Sequence, residues 1–219
     1  MDLVLSSGFV AFARHCGVLQ AVEDSGATVD AVCGTSSGAL IGALWCAGLS
    51  AQEIASQLSV RTPWSLMRLS RRPWTGLFSL QPAMDEVRQW LPATFEELRT
   101  PLAAGVAVAG EAQMLTSGSL ADAVMASCSI PFVFEVVRRD GVALQDGGAV
   151  DRVGLAGWRA WRGDRDVLVH EVERSHGPAA SLPDGLRVVR TGRSGAKLWD
   201  LGDFYGQMEE ARVATAAVL

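Results

Sequence analysis

The N-terminal part of the chain alternates between short apolar runs and longer segments with apolar residues at helical spacing. Residues 1–5 and 29–33 have the length and apolar content of buried β-strands. Residues 10–24 follow the first run and residues 39–47 the second, each with the pattern of a packed helix. Strands that alternate with helices form a mostly parallel sheet covered on both faces. We therefore expect an α/β fold with three layers, α/β/α, and a largely parallel central sheet.

The rest of the chain continues this alternation without an internal repeat. Ser50 and Glu53 form a capping-box pattern that opens another helix, and a polar turn at residues 138–141 predicts a hairpin. Further strands are predicted at residues 101–109, 135–137, 142–144, 167–169 and 186–189, and further helices at residues 84–91, 119–126 and 204–218. These elements fit a single domain that covers residues 1–219.

Composition narrows the class of protein. With 49% hydrophobic and 20% charged residues, the chain suits a well-packed globular domain, and its net charge of −5 gives no support for a nucleic-acid partner. The four cysteines lack the spacing of metal ligands, so we expect free thiols and neither a metal nor another cofactor. The chain begins without a basic leader, and no uncharged apolar stretch reaches the roughly 20 residues of a membrane span. We expect a cytoplasmic protein.

A glycine–serine turn lies between the second predicted strand and the helix that follows it. Residues 34–38 read Gly-Thr-Ser-Ser-Gly, a G-x-S-x-G pattern. Between a strand and a helix, this pattern is typical of a nucleophile elbow, in which a strained turn raises the serine hydroxyl above the sheet edge. Gly34 and Gly38 allow close backbone approach, and the helix N-terminus favours negative charge on the hydroxyl oxygen. Ser36 is therefore the candidate nucleophile.

A carboxylate that could activate this serine follows a later strand. Asp146 precedes Gly147 and Gly148, which would leave its side chain exposed at the edge of the sheet. An Asp-Gly-Gly sequence alone is usually only a turn. The position of this Asp-Gly-Gly sequence relative to the other motifs of the chain makes it a more specific signal of function.

Four segments, taken in order, resemble the patatin-like phospholipase family. They are a serine–glycine turn after the first strand, Gly-Thr-Ser-Ser-Gly at 34–38, Ala-Ser-Cys-Ser-Ile-Pro at 126–131 and Asp-Gly-Gly-Ala-Val-Asp at 146–151. The resemblance implies a three-layer α/β/α fold and a carboxylic ester hydrolase that acts on acyl lipids or phospholipids through an acyl-enzyme. It also implies a Ser–Asp dyad without histidine, in which Ser36 is the nucleophile and Asp146 the general base.

The same resemblance places the oxyanion hole in the turn after the first strand. The candidate donors are the backbone amides of Gly8, Phe9 and Ser37, and a preorganised donor can lower the barrier by roughly 3 kcal/mol. The family's turn usually has three glycines and then a basic residue, whereas residues 6–11 read Ser-Ser-Gly-Phe-Val-Ala. We expect Gly8 to direct its amide inward through a positive φ, which a β-branched residue tolerates poorly.

Two alternatives remain open at this point. The order Ser36, Asp146 and then His170 or His176 also suits a Ser–His–Asp triad of the α/β-hydrolase type, although that fold places several strands before its elbow. The altered oxyanion turn would suit a catalytically weakened or inactive binding module. His15 falls in the first predicted helix, where a packed histidine is expected.

The segment of residues 61–80, from Arg61 to Leu80, mixes aromatic, aliphatic and basic side chains and contains no acidic one. Tryptophan and arginine suit the headgroup boundary of a bilayer, so the segment is a candidate for peripheral membrane contact. The alternative is a packed cover over the sheet, with the arginine charges directed to water. The side chains concerned are Trp64, Leu66, Met67, Leu69, Trp74, Leu77 and Phe78, with Arg61, Arg68, Arg71 and Arg72 among them.

Overall fold

The computed structural model describes residues 1–174 and 180–219 of the chain. The strands are β1 (Asp2–Leu5), β2 (Ala31–Thr35), β3 (Arg68–Leu69), β4 (Phe78–Ser79), β5 (Leu102–Val108), β6 (Glu111–Leu115), β7 (Val137–Arg139), β8 (Val142–Asp146), β9 (Val167–Val172) and β10 (Arg187–Thr191). The helices are α1 (Phe12–Ser25), α2 (Ser37–Cys46), α3 (Ala51–Leu58), α4 (Gln81–Val87), α5 (Leu120–Ser127), α6 (Leu155–Arg162) and α7 (Phe204–Ala216). Short 3₁₀ turns lie at Pro63–Leu66, Phe95–Glu97 and Gly147–Ala149.

A sheet of eight strands lies at the centre, in the order β10-β9-β1-β2-β5-β8-β7, with β6 also paired to β5. The strands from β10 to β5 are parallel, as expected from their alternation with helices. β6 and β8 run antiparallel to β5, and β7 runs antiparallel to β8. The predicted sheet is therefore confirmed as mostly parallel, and the hairpin forms its antiparallel edge.

The two faces of the sheet bury different side chains of the same strand. Leu3 and Leu5 of β1 belong to the core that also contains residues of α1, α2 and α7. Val4 belongs instead to the core on the opposite face, together with Trp158 of α6. This alternation has the two-residue period of a strand, and coverage of both faces explains why β1 is apolar on both sides. Its one charged residue, Asp2, is buried and accepts a hydrogen bond of 2.9 Å from Trp158 Nε1.

Besides the two-residue strands β3 and β4, the sequence patterns miss one helix and one strand of the layered arrangement. Helix α6 buries only Leu155 and Trp158, so its apolar face is too short to produce a clear helical period. Strand β6 exposes Glu111 and Gln113 at the side of β5, and its mixed polarity does not resemble a buried strand. Among the described residues, no helix is both long and apolar enough to cross a membrane.

Candidate active site

Ser36 occupies the tight turn between β2 and α2. Its backbone has φ 54° and ψ −119°, a left-handed conformation that is strained for a residue with a side chain. Gly38 has to lack a side chain, because a Cβ atom there would overlap the backbone carbonyl of Leu5. A Cβ atom on Gly34 would similarly overlap the Gly38 carbonyl. The turn therefore packs against the end of β1 and holds the Ser36 hydroxyl at the first turn of α2.

Asp146 reaches the same place from the antiparallel edge of the sheet. β2 ends with Thr35 opposite Gly105 of β5, and β8 ends with Asp146 opposite the neighbouring Val106. This register brings the two side chains together, and Ser36 Oγ donates a hydrogen bond of 2.6 Å to Asp146 Oδ2. The two candidate dyad residues, far apart in sequence, are thus adjacent in the structure.

The environment of Asp146 shifts its proton affinity. The side chain is only 4% exposed, and this burial raises its pKa from the ordinary value to about 6. Hydrogen bonds from Ser36 and from the Gly148 amide, the latter 2.7 Å from Oδ1, act in the opposite direction. The carboxylate is therefore ionised at neutral pH and has a higher affinity for protons than an exposed aspartate.

The segment at residues 126–131 connects the two halves of the site. The Ser36 amide donates to Ser127 Oγ at 2.8 Å, and Ser127 Oγ donates in turn to the Gly105 carbonyl at 2.6 Å. The Asp146 amide donates to the Ser129 carbonyl at 3.0 Å. Sequence reasoning identified this segment only through its resemblance to a family motif. The structure shows that it fixes the backbone of both Ser36 and Asp146.

The candidate oxyanion donors lie beside the serine. Gly8 and Phe9 share cavity walls with Ser36, and Ser37 begins α2. Within residues 1–174 and 180–219, no hydrogen-bond acceptor is found for the amides of these three residues. Their N–H groups are therefore available to a ligand.

The expectation of a positive φ at Gly8 is wrong. The left-handed residue of this turn is Val10, with φ 49°. Gly8 is constrained by space instead, because a Cβ atom there would lie 2.7 Å from the Cβ of Ala11 and 3.1 Å from the Cβ of Val172. The turn therefore needs glycine for close packing against β9 and α1, and not for an unusual backbone angle.

Arg152 ties this turn to the rest of the site. Its Nη2 donates to the Ser7 carbonyl at 2.9 Å and to the Val172 carbonyl at 3.1 Å. In the opposite direction, the Ser7 amide donates to the Arg152 carbonyl at 2.7 Å. This clamp fixes the turn from outside. Sequence reasoning missed Arg152, since nothing in its local pattern indicates a distant carbonyl partner.

The structure does not bring His15 or His170 to the dyad. Both rings are fully buried, and their Nδ1 atoms lie 2.9 Å apart in a shared hydrogen bond. His15 Nε2 contacts Ser37 Oγ at 3.2 Å, and His170 Nε2 contacts Thr191 Oγ1 at 2.8 Å. Burial lowers the pKa of His15 to about 3 and that of His170 well below its usual range, so both are neutral. The other histidine of the triad alternative, at position 176, lies outside the described residues.

Two cavities of different character meet at the serine, and both have Gly8, Phe9, Ser36 and Ile130 in their walls. The larger, about 590 Å³, has a mixed polar and charged lining. The smaller, about 150 Å³, is enclosed mainly by apolar side chains from α2, α4 and the segment of residues 61–80. Those apolar residues include Leu40, Leu66, Met67, Met84 and Val87.

The segment of residues 61–80 covers the smaller cavity and also presents apolar side chains to solvent. Leu66 lines the cavity, whereas Trp74 is 79% exposed. Phe132 is 88% exposed and adjoins the segment through the hydrogen bond from the Leu77 amide to its carbonyl, 3.3 Å long. The segment is thus partly a packed cover and partly an exposed apolar surface.

Comparison with known proteins identifies the family of the chain. The family model for patatin-like phospholipases matches residues 3–157, which include the elbow, the Ala-Ser-Cys-Ser-Ile-Pro segment and Asp146. The chain therefore belongs to the patatin-like phospholipase family, as its four motifs predict. Membership of this family supports a lipid hydrolase at the level of the family.

Two relatives represent the curated proteins that the chain matches. An uncharacterized NTE family protein of Mycobacterium tuberculosis is 30% identical over 207 residues, or 91% of this chain and 57% of the relative. The neuropathy target esterase of Drosophila melanogaster is 30% identical over 170 residues, or 70% of this chain and 11% of the relative. The chain thus spans little more than half the length of the mycobacterial relative and a small part of the fly protein.

Solved structures support the fold alone. VipD from Legionella pneumophila superposes with a TM-score of 0.57 and 13% identity, over 99% of this chain and 65% of that one. The type III effector protein ExoU gives a TM-score of 0.54 with 15% identity, over 99% of this chain and 52% of that one. At such low identity the similarity supports only the layered architecture. This architecture confirms the predicted α/β class.

Proposed function

We propose that residues 1–219 form one lipid acyl hydrolase domain, a serine esterase that uses Ser36 and Asp146 as a catalytic dyad. The observation that carries this proposal is the 2.6 Å hydrogen bond between Ser36 Oγ and Asp146 Oδ2 at a strained strand–helix turn. Family membership supports a lipid ester as the substrate.

The proposed reaction has two halves. In the first, Asp146 accepts the proton of Ser36 as Oγ attacks the acyl carbon, and the alcohol leaves with that proton. In the second, Asp146 takes a proton from the water that attacks the acyl-enzyme and passes it to Ser36 Oγ as the acyl–oxygen bond breaks and the fatty acid is released. The free amides of Gly8 and Ser37, with that of Phe9, would donate to the oxyanion in both halves. Arg152 supports this role by fixing the turn that carries Gly8.

The apolar cavity gives the acyl chain a place next to the nucleophile. Its lining by Leu40, Leu66 and Met84 excludes water and matches an alkyl chain. The exposed Trp74 and Phe132, with nearby arginines, suit contact with a lipid surface, so we propose that the segment of residues 61–80 approaches the membrane while the cavity receives the chain.

A serine-reactive probe tests the proposal directly. A fluorophosphonate should label the wild-type protein at Ser36, and Ser36→Ala should remove the label without unfolding the chain. An inactive binding module would fail to react although the dyad geometry is present. A hydrolysis assay on a soluble short-chain ester, with the same two proteins, measures turnover independently of membrane contact.

A further inference from the structure

We propose that the larger cavity beside Ser36 is a headgroup subsite, which binds the phosphate of an anionic glycerolipid whose headgroup carries no compensating ammonium charge. This inference rests on the proposed function and assigns the substrate class of the same site. It concerns the half of the substrate that leaves as the alcohol, opposite the acyl chain.

Cationic side chains dominate the charged lining of this cavity, although the chain as a whole has a net charge of −5. A local excess of positive charge in a cleft concentrates anions there. The acidic residues of the lining are Asp146, assigned to the dyad, and Glu173. The cations are Arg152, Arg174, Arg193 and Lys197.

In the described part of the chain these four cations have no carboxylate partner, a property that they share with other arginines, such as Arg68 and Arg165. Some surface arginines are neutralised instead. Arg88 pairs with Asp122, and Arg212 pairs with Asp24. Over the described part of the chain, none of the four lining cations forms an ion pair, even though Glu173 is in the same wall. Their charges are therefore free to interact with a bound anion.

Arg152 carries a buried donor suited to a bound anion. Its Nη2 is used by the carbonyls of Ser7 and Val172, but its buried Nη1 has no hydrogen-bond partner among the residues that the structure describes. Burial and, after it, repulsion by the positive charge of Arg174 lower the pKa of Arg152, whereas the charge of Glu171 raises it. A phosphate would satisfy the free donor and offset this repulsion, since guanidinium pairs well with phosphate oxygens.

The position of the cavity defines which part of a lipid would enter it. Ser36 stands where the basic and apolar cavities meet, so an ester bond at Ser36 would separate an alkyl chain from a phosphate. A choline or ethanolamine group would bring a positive charge toward Arg174, Arg193 and Lys197. Headgroups such as glycerol phosphate avoid this repulsion and should be preferred.

Three lauroyl esters with one acyl chain test the proposal on the 219-residue chain, below their critical micelle concentrations. We expect kcat/KM to fall in the order lysophosphatidylglycerol, lysophosphatidylcholine, monolauroylglycerol, with about tenfold between the first and the last. The double variant Arg174→Gln, Arg193→Gln should reduce that ratio about tenfold. Arg165→Gln, an exposed arginine that does not line the cavity, is the matched control and should leave the ratio unchanged.

Three results would contradict the headgroup subsite. Equal rates on the anionic and neutral esters, or an equal loss on both in the double variant, would overturn the subsite. A free-anion site would be indicated instead if inorganic phosphate bound as tightly as lysophosphatidylglycerol.

Binding to Ser36→Ala protein, measured by calorimetry, separates this inference from the proposed function. If the wild-type chain hydrolyses no ester, the proposed function fails, while preferential binding of lysophosphatidylglycerol over monolauroylglycerol would still support the subsite. Equal binding of the two lipids would refute the subsite whatever the activity.

Discussion

The dyad region and the segment of residues 61–80 border the same serine but are held in different ways. Ser36 and Asp146 are fixed by backbone hydrogen bonds to Ser127 and Ser129, at the edge of a buried sheet. The segment contains one short 3₁₀ turn and the two-residue strands β3 and β4, and it leaves apolar side chains such as Trp74 exposed. In the proposed function this difference separates two tasks: the sheet edge fixes the geometry of the chemistry, and the segment provides a surface for aggregated substrate.

The largest effect should follow from removing the proposed base. Asp146→Asn keeps the shape of the side chain but cannot accept the Ser36 proton, so kcat/KM on a soluble ester should fall about 10⁴-fold or more. Ser36→Ala should be equally inactive, and circular dichroism should show both variants folded. His176→Gln is the control for the triad alternative. An equally inactive His176→Gln would replace the dyad with a triad.

The next effect concerns the turn after β1. Gly8→Val should reduce kcat about 100-fold, because a side chain would collide with Ala11 and Val172 and turn the amide away from the oxyanion. Gly192→Val is a suitable control, since a Cβ atom there meets nothing nearer than 3.7 Å. Melting temperatures measured alongside would separate catalysis from stability. An active, stable Gly8→Val enzyme would show that Ser37 and another donor hold the oxyanion.

The pH profile should distinguish the buried carboxylate from an exposed one. Asp146 has to be ionised to act as a base, and burial raises its pKa to about 6. We therefore expect kcat/KM on a non-ionising soluble ester to be flat above this pH and to fall about tenfold per unit below it. The His176→Gln variant should have the same midpoint. A midpoint near the ordinary aspartate value of roughly 4 would contradict the buried, desolvated dyad.

The smallest effect should come from the exposed segment. Trp74→Ala should reduce hydrolysis of anionic vesicles several-fold, through lost interfacial contact, and leave hydrolysis of a soluble monomeric ester nearly unchanged. Trp161→Ala on α6 changes a tryptophan on the opposite face of the sheet and should not discriminate between the substrates. Equal losses on both substrates in Trp74→Ala would show that the segment acts as packed structure. The segment and the dyad region would then no longer differ in task.

Much of the fold could be predicted, because the relevant signals are local. The fully buried and mostly apolar β1 and β2, each followed by a turn and a helix, already specify a covered parallel sheet, and a G-x-S-x-G turn between strand and helix indicates the position of Ser36. α6 escaped prediction because its one large anchor, Trp158, packs against residues distant in sequence.

The parts of the site that escaped prediction depend on long-range contacts. Ser127 supports Ser36 through a bond between residues far apart in the chain, and Arg152 reaches Ser7 in the same way. The conformation of Gly8 was predicted wrongly because the crowding comes from Val172, which no local pattern reveals. The charge of the larger cavity likewise arises only when Arg152 and Arg193 come together in three dimensions.

The burial of Asp146 carries a thermodynamic consequence. A folded-state pKa of about 6, against an unfolded value near roughly 4, means that the native chain binds this proton more tightly than the unfolded chain. Its contribution to stability is fully present below the unfolded pKa and is lost as the pH rises through the folded pKa, about 3 kcal/mol in total. Asp146→Asn should therefore unfold at higher temperature than the wild type at pH 8, by calorimetry, with the gap closing near pH 4. In such a protein, loss of the base would make the fold more durable, so stability would be a poor guide to activity among its natural variants.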